Sequence, residues 1–316
     1  MKLGILIHPD ELSESWVRRI CGSELSLFGL HPVGGNDAPA SMAELIRDRE
    51  RLEPYLAEIR GSGIGIEHEM HALRWFVPAG LSEKHPEWFR MNGDGLRTTD
   101  HNICATNGEA LAYVEKRAEE AARLLPSSTH RYHFWIDDVD STKCHCEKCA
   151  AFTASDQALL IYNAIARGVR RADPSGRQCY LAYHGTLEAP VHVMPEGNIF
   201  LEYAPMDRDF TRPIGDVGCE KNVRQTEVLD ALLDLFGCED ATVCEYWLDN
   251  SMYSGWKKPP KKFTWDESIF RADVGYYESR GFGTATTFAC YLGDEYREAC
   301  GEDADIDGYL HKISLF

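Results

Sequence analysis

The sequence contains no long hydrophobic run. Nowhere do roughly 18 apolar residues follow one another, so a membrane partner or a spanning helix is not expected. The opening Met1-Lys2-Leu3-Gly4-Ile5-Leu6-Ile7-His8-Pro9 is too short for a signal peptide and has no small-residue cleavage site behind it. It reads as a first strand, and a cytoplasmic location is the expectation. Positive charge is scarce: 33 Lys and Arg stand against 51 Asp and Glu, a formal net charge of -18. With no basic stripe to overrule it, that balance repels a phosphate backbone and excludes nucleic acid as the expected partner. No G-x-G-x-x-G follows the first strand, which weighs against a doubly wound, dinucleotide-binding sheet. The 11 cysteines are an odd number and several sit inside apparent strands or helices (Cys179, Cys244, Cys290), so reduced thiols are expected rather than a disulfide framework.

What the chain does have is regular alternation. Short apolar strand candidates at Leu3 to Ile7, Leu25 to Leu30, Ile64 to Met70, Tyr132 to Asp137, Cys179 to Tyr183, Ile199 to Tyr203, Thr242 to Trp247 and Thr284 to Ala289 are separated by amphipathic segments. Helices are expected at Ser13 to Cys21, Ala43 to Ile59, Glu109 to Leu125, Asp156 to Arg171, Glu220 to Phe236, Ile269 to Ser279 and Glu295 to the C-terminus. About eight strand-then-helix units predict an α/β protein with a TIM (β/α)8 barrel as one domain over residues 1–316. The fifth crossover is the exception, because Tyr183 to Ile199 is short for a helix and carries Pro190 and Pro195.

Barrels place their chemistry just past the C-terminal ends of the strands. Those positions hold His8; His31; Glu67, His68, Glu69 and His71; Asp137 and Asp138; Tyr183 and His184; Glu202 and Tyr203; Glu245, Tyr246, Trp247 and Asp249; and Tyr291. The run His133-Phe134-Trp135-Ile136-Asp137-Asp138 stands out, since an apolar aromatic strand stops abruptly at two acids. Acids, imidazoles and aromatics with few basic residues fit a neutral polyhydroxylated ligand better than an anion, so a carbohydrate is the expected partner. Sugar hydrolysis needs a pair of carboxylates at a cleft, which makes Asp137, Asp138 and Glu245 the catalytic candidates. Parity qualifies this: on a regular strand His133, Trp135 and Asp137 share one face, the barrel side, and Asp138 points away. Both acids can serve only where the strand breaks. His8, His31 and His184 have a plain alternative as hydrogen-bonded structural histidines, as adjacent acids have one as a helix cap.

The ordered set His85-Pro86-Glu87-Trp88-Phe89, Ile103-Cys104 with Asn107, Trp135-Ile136-Asp137-Asp138, Cys144-x-Cys146-x-x-Cys149, Ser155-Asp156 with Asn163, and Leu181-Ala182-Tyr183 resembles the bacterial glycoside-hydrolase-like domain of unknown function, family 4838. The resemblance covers roughly residues 85 to 250. It implies a barrel related to hexosaminidases, including endo-β-N-acetylglucosaminidases of glycoside hydrolase family 163. In such enzymes two neighbouring acids at the end of the fourth strand act together. Carried over, Asp137 holds the 2-acetamido group and Asp138 donates the proton, in substrate-assisted retaining catalysis without a cofactor. This chain has Asp-Asp where the endo-acting relatives carry Asp-Glu.

Cys144, Cys146 and Cys149 have a spacing that thiolates use for zinc but are one ligand short of a closed site. Cys104, in the same family motif, is the fourth candidate for a structural zinc; free thiols and a disulfide stay open. Two other readings of the mouth remain. One is a carbohydrate-binding barrel without turnover, which would keep the substrate contacts expected of the hydrolase: His68, His71, Trp135, Tyr183, His184, Glu202, Tyr203, Tyr246, Trp247, Asp249 and Tyr291. The other is a metal-dependent isomerase or hydrolase built on Glu67, His68, Glu69 and His71 with Glu202 and Glu245.

Overall fold

Eight short strands close into a parallel barrel in sequence order: β1 (Lys2–Ile7), β2 (Leu27–Leu30), β3 (Gly65–His71), β4 (Arg131–Trp135), β5 (Arg177–Ala182), β6 (Ile199–Tyr203), β7 (Thr242–Glu245) and β8 (Thr284–Phe288), with β8 pairing back onto β1. The structure is a computed structural model and describes residues 1–140 and 143–311. Most strand residues are buried on both faces, as expected for strands packed on helices outside and on one another inside. The TIM barrel expected from the alternation is therefore the fold.

The surrounding helices are α1 (Glu14–Cys21), α2 (Ala38–Gly61), α3 (Leu73–Phe76), α4 (Gly108–Leu124), α5 (Ala154–Ala172), α6 (Glu220–Thr226), α7 (Leu229–Phe236), α8 (Asn250–Tyr253), α9 (Glu267–Ser279), α10 (Asp294–Cys300) and α11 (Asp307–Leu310). Among the described residues none is long and apolar enough to cross a membrane. The single helix expected over Glu220 to Phe236 is two, and the C-terminal one is broken into α10 and α11; its last five positions, 312–316, lie outside the described residues.

Several residues of the ordered motif set earn their place by capping and tethering. Asn107 accepts the Ala110 amide at 3.0 Å and starts α4; Thr153 and Asp156 form a reciprocal capping box that starts α5. Asp156 then accepts the amides of Val191, His192 and Val193, and Asn163 exchanges bonds with Met194 and Glu196. These two side chains pin the β5-to-β6 connection to α5. That is how the barrel manages a fifth crossover that, as Pro190 and Pro195 foretold, has no α-helix.

Candidate active site

The barrel interior is polar below its mouth. β3 turns Glu67, Glu69 and His71 inward and β4 turns His133 and Trp135 inward. His133 has Nδ1 2.9 Å from Glu202 Oε2 and Nε2 3.2 Å from Glu67 Oε2, all fully buried. Burial opposes charge on His133, but Glu202 and Glu69 outweigh it and push its pKa well above the usual imidazole value. Burial also opposes charge on Glu202, yet His133 pulls that carboxyl down to about 2. Glu69 is pushed well up, first by burial and then by the neighbouring carboxylates of Glu202 and Glu67. Glu202 also accepts the Trp135 indole N–H at 2.7 Å, so this layer orients the aromatic floor of the mouth rather than reaching into it.

The mouth is a cavity of about 540 Å³. Its wall includes His8, His31, His71, Trp135, Asp138, Tyr183, Tyr246, Asp249, Phe288 and Tyr291, and among the described residues no Lys or Arg lines it. Tyr246 stacks on Phe288 with ring centroids 5.2 Å apart, and His31 and His71 pack against Trp135. His8 and His31 each donate from Nδ1 to a carbonyl, of His31 and Glu69 respectively. The structural role weighed for them is real, although both also face the cavity.

Asp138 is the carboxylate this geometry serves. Its Oδ1 accepts the Tyr183 hydroxyl at 3.1 Å and its Oδ2 accepts the Gly35 amide at 3.0 Å. Burial, with Asp138 beside it, pushes the Tyr183 phenol well above its usual range, so that hydroxyl stays a donor. His71 donates from Nδ1 to the Ile136 carbonyl at 2.7 Å and turns Nε2 toward Asp138 Oδ1, 3.8 Å away.

Asp137 is elsewhere, and the parity argument is overturned. β4 ends at Trp135, whose carbonyl takes the Ala72 amide, and the chain leaves the sheet before the acids. The break reverses the facing: Asp138 enters the mouth and Asp137 turns into the wall. There Asp137 accepts the amides of Arg74 at 3.2 Å and Asn102 at 2.6 Å and is buried. Its carboxyl is raised, chiefly by that burial. It does not line the mouth but a narrow adjoining cavity of about 20 Å³ that shares His71, Leu181 and Tyr183 with it.

Parity along β7 corrects two more assignments. Cys244 and Tyr246 face the cavity; Glu245 and Trp247 face the helices. Glu245 is bonded to Arg208 and Tyr277, and the Trp247 indole donates to Asp273 at 2.9 Å, all inside the layer under α9. Glu245 therefore does not face Asp138 across the mouth. Tyr203 also points outward, donating to the Gln225 carbonyl. His68 sits under α2 and α4 with Nδ1 unpartnered, its pKa pushed down to about 4 first by burial. The His184 ring packs against that of Tyr183 with centroids 3.9 Å apart and planes tilted by 49°, and bonds to Asp207, a support of the rim rather than a wall of it. Glu67, His68, Glu69, His71, Glu202 and Glu245 occupy four different environments: Glu67 and Glu69 with His133, and Glu69 and Glu202 with Cys244, are close enough to share an ion below the mouth, whereas His71 on the mouth, His68 under α2 and Glu245 under α9 stand apart from them.

Gly34, Gly35 and Trp256 were missed. A Cβ at Gly34 would stand 3.0 Å from Asp138 Oδ2 and 3.3 Å from His71 Cδ2, and Gly35 has φ +60, so the loop after β2 can approach Asp138 only as glycine. The Gly-Gly pair after His31 was the available signal. Trp256, 64% exposed at the cavity edge, lies in a stretch with no periodicity to mark it.

A (β/α)8 barrel with an acid- and aromatic-lined mouth at the C-terminal ends of its strands defines the class. Residues 47–229 match the family described as Domain of unknown function (DUF4838), more than half of the chain, and the chain belongs to that family. In fold it is similar to a β-galactosidase from Rahnella sp. R3 (TM-score 0.54, 13% identity, 91% of this chain and 50% of that one). It is likewise similar to a GH42 β-galactosidase from G. stearothermophilus (0.51, 13%, 90% and 50%) and a glycoside hydrolase family 5 enzyme from Prevotella bryantii B14 (0.54, 10%, 96% and 92%). The chain spans about half the length of the two β-galactosidases. No curated protein matches it.

Proposed function

We propose that the protein is a glycoside hydrolase acting on an N-acetylhexosamine-containing glycan, with Asp138 as its acid and base. The observation that carries this reading is the placement of Asp138, gripped by Tyr183 and Gly35 at the edge of an aromatic cavity whose described walls have no cation. A neutral sugar can stack on such walls, whereas among the described residues an anion would find cations only beside them, Lys258 over the Tyr291 ring and Arg74 on the Gly35 carbonyl. Leu181, Ala204, Met206 and Cys244 line one side of the cavity, and small apolar groups there suit an acetamido methyl.

The chemistry follows from which carboxylates reach the cavity. A covalent route needs two carboxyls about 5 to 5.5 Å apart across the glycosidic bond. Glu245, the strand-end acid of β7, faces away, which favours the route in which the sugar supplies its own nucleophile. The acetamido oxygen attacks the anomeric carbon, the C–O bond breaks, and Asp138 protonates the departing oxygen. The product of this step is an oxazolinium ion; water then opens it and returns a proton to Asp138, with net retention. Asp249, also on the cavity wall, caps α8 through the amides of Ser251 and Met252, and burial raises its carboxyl toward the neutral form, which disfavours it as a counter-charge for that cation.

A panel of aryl α- and β-hexosides, each with and without the 2-acetamido group, tests this on purified protein. The expected result is turnover of an N-acetylated member at least about a hundredfold faster than its plain counterpart, the scale of one catalytic group. Equal cleavage of both would replace the assisted route by one using Asp138 and Asp249 as a carboxylate pair. No turnover of any member, with sugar binding retained, would make the protein a lectin-like barrel.

A further inference from the structure

We propose that Cys104, Cys144, Cys146 and Cys149 bind one zinc ion, and that this ion locks the loop after β3 to the loop after β4 behind the mouth. The four cysteines are buried, and their sulfurs lie within 4.8 Å of one another. Cys104 Sγ is 3.6 Å from Cys146 Sγ and 3.8 Å from Cys149 Sγ. A tetrahedral centre with zinc–sulfur bonds of about 2.3 Å places its sulfurs about 3.8 Å apart. Disulfide bonding would need about 2.05 Å, so these thiols are spaced for a shared ion rather than for each other.

The surroundings suit thiolates. The Met91 amide donates to Cys144 Sγ at 3.2 Å, Arg97 brings a guanidinium to 3.8 Å from the same sulfur, and the Thr106 hydroxyl lies 3.1 Å from Cys149 Sγ. Four thiolates around one zinc leave two negative charges, which these donors and the Arg97 cation offset. Gln157 holds the ligand loop from the α5 side, accepting the Cys144 amide and donating to the carbonyls of Cys144 and Cys149. The ligands are thus preorganised by groups that are not themselves ligands.

The position gives the ion a task. Cys104 lies two residues after Asn102, whose amide and side chain grip Asp137, and Cys144 lies six residues after Asp138. The strand has already ended at Trp135, so the backbone that carries Asp137 and Asp138 has no sheet partner to fix it. A metal joining the two loops supplies that constraint, as a structural rather than a catalytic ion. Binding releases the thiol protons to solvent, and nothing is oxidised.

Metal content of protein purified without added metal is the first measurement, with one zinc per chain expected. In the native protein these four thiols should resist a disulfide reagent until a chelator is added, and then react as zinc appears in solution. Cys146→Ser should lose the zinc. Should that variant not fold, cobalt substitution of the wild-type protein should give the thiolate charge-transfer and tetrahedral bands of a four-sulfur site. Amide exchange over residues 102–104 and 143–149 should rise on zinc removal. Metal-free protein whose four thiols titrate freely, or a chain mass lower by two hydrogens from a disulfide among them, would overturn the proposal. None of these readouts uses a substrate, so the zinc site and the sugar-hydrolase reading stand or fall separately.

Discussion

Asp138→Asn is expected to lower kcat by roughly a thousandfold, the middle of the range for removing a general acid, while leaving the folded state intact. The side chain is 29% exposed, and an amide oxygen can still accept from Gly35 or Tyr183, so little stability is at stake. Asp137→Asn should behave in the opposite way. That carboxylate is buried against two backbone amides, and an amide accepts only through one oxygen, so one of the two bonds is lost or strained. The cost should be about 1–3 kcal/mol of stability, with a smaller fall in kcat that follows the displaced loop. Paired measurements of kcat and denaturation midpoint separate the roles. A large loss of kcat in Asp137→Asn at unchanged stability would show that Asp137 touches substrate after all.

Arg208→Leu should be the most destabilising single change around the barrel. Arg208 is buried between Glu245 and Asp273, donates to both from Nη1, and gives Nη2 to the Arg212 carbonyl. Removing the cation leaves two buried carboxylates facing each other without a counter-charge, which typically costs about 3–5 kcal/mol. Denaturant unfolding measures it. Replacing Glu245 and Asp273 by leucine in the same chain should return only part of the loss, because the apolar trio needs no counter-charge but leaves the Tyr277 hydroxyl, the Trp247 indole N–H and the Ile214 amide without their acceptors. Glu245→Gln alone should keep substantial turnover, since it leaves the mouth unchanged. Its collapse would reinstate Glu245 as a nucleophile and require the layer under α9 to open.

The barrel was legible because its signals are local. Eight apolar runs, their glycine and proline punctuation and the missing fifth helix are each set within about ten residues, and the strand count followed. Facing at the strand ends was less legible, because it depends on where pairing stops. Pairing of β4 with β3 stops at Trp135, whose carbonyl takes the Ala72 amide in the last bond between them, a contact between residues 63 positions apart. Both acids were named, but parity run as though β4 continued turned Asp137 into the mouth and Asp138 away, the reverse of what the break produces. The same slip placed Glu245 and Trp247 in the mouth, although their neighbour Tyr246 was correctly placed. Glu202 and His133 illustrate a different limit: the acid was visible, but its partner is on another strand, and the pairing converts an apparent substrate contact into a prop for Trp135. The cysteines were the reverse case: the spacing of Cys144, Cys146 and Cys149, with Cys104 added from the family motif, anticipated a convergence that the fold then made.

The most direct measurement is a crystal structure of the protein with a thiazoline analogue of an N-acetylhexosamine oxazoline, the stable mimic of the intermediate in the assisted route. The account predicts the sugar ring in the mouth, against Trp135 and Tyr246, with Asp138 within hydrogen-bond distance of the ring substituents and Glu245 still bonded to Arg208. A ring seated outside the mouth, or one in the mouth that leaves Asp138 untouched, would contradict it.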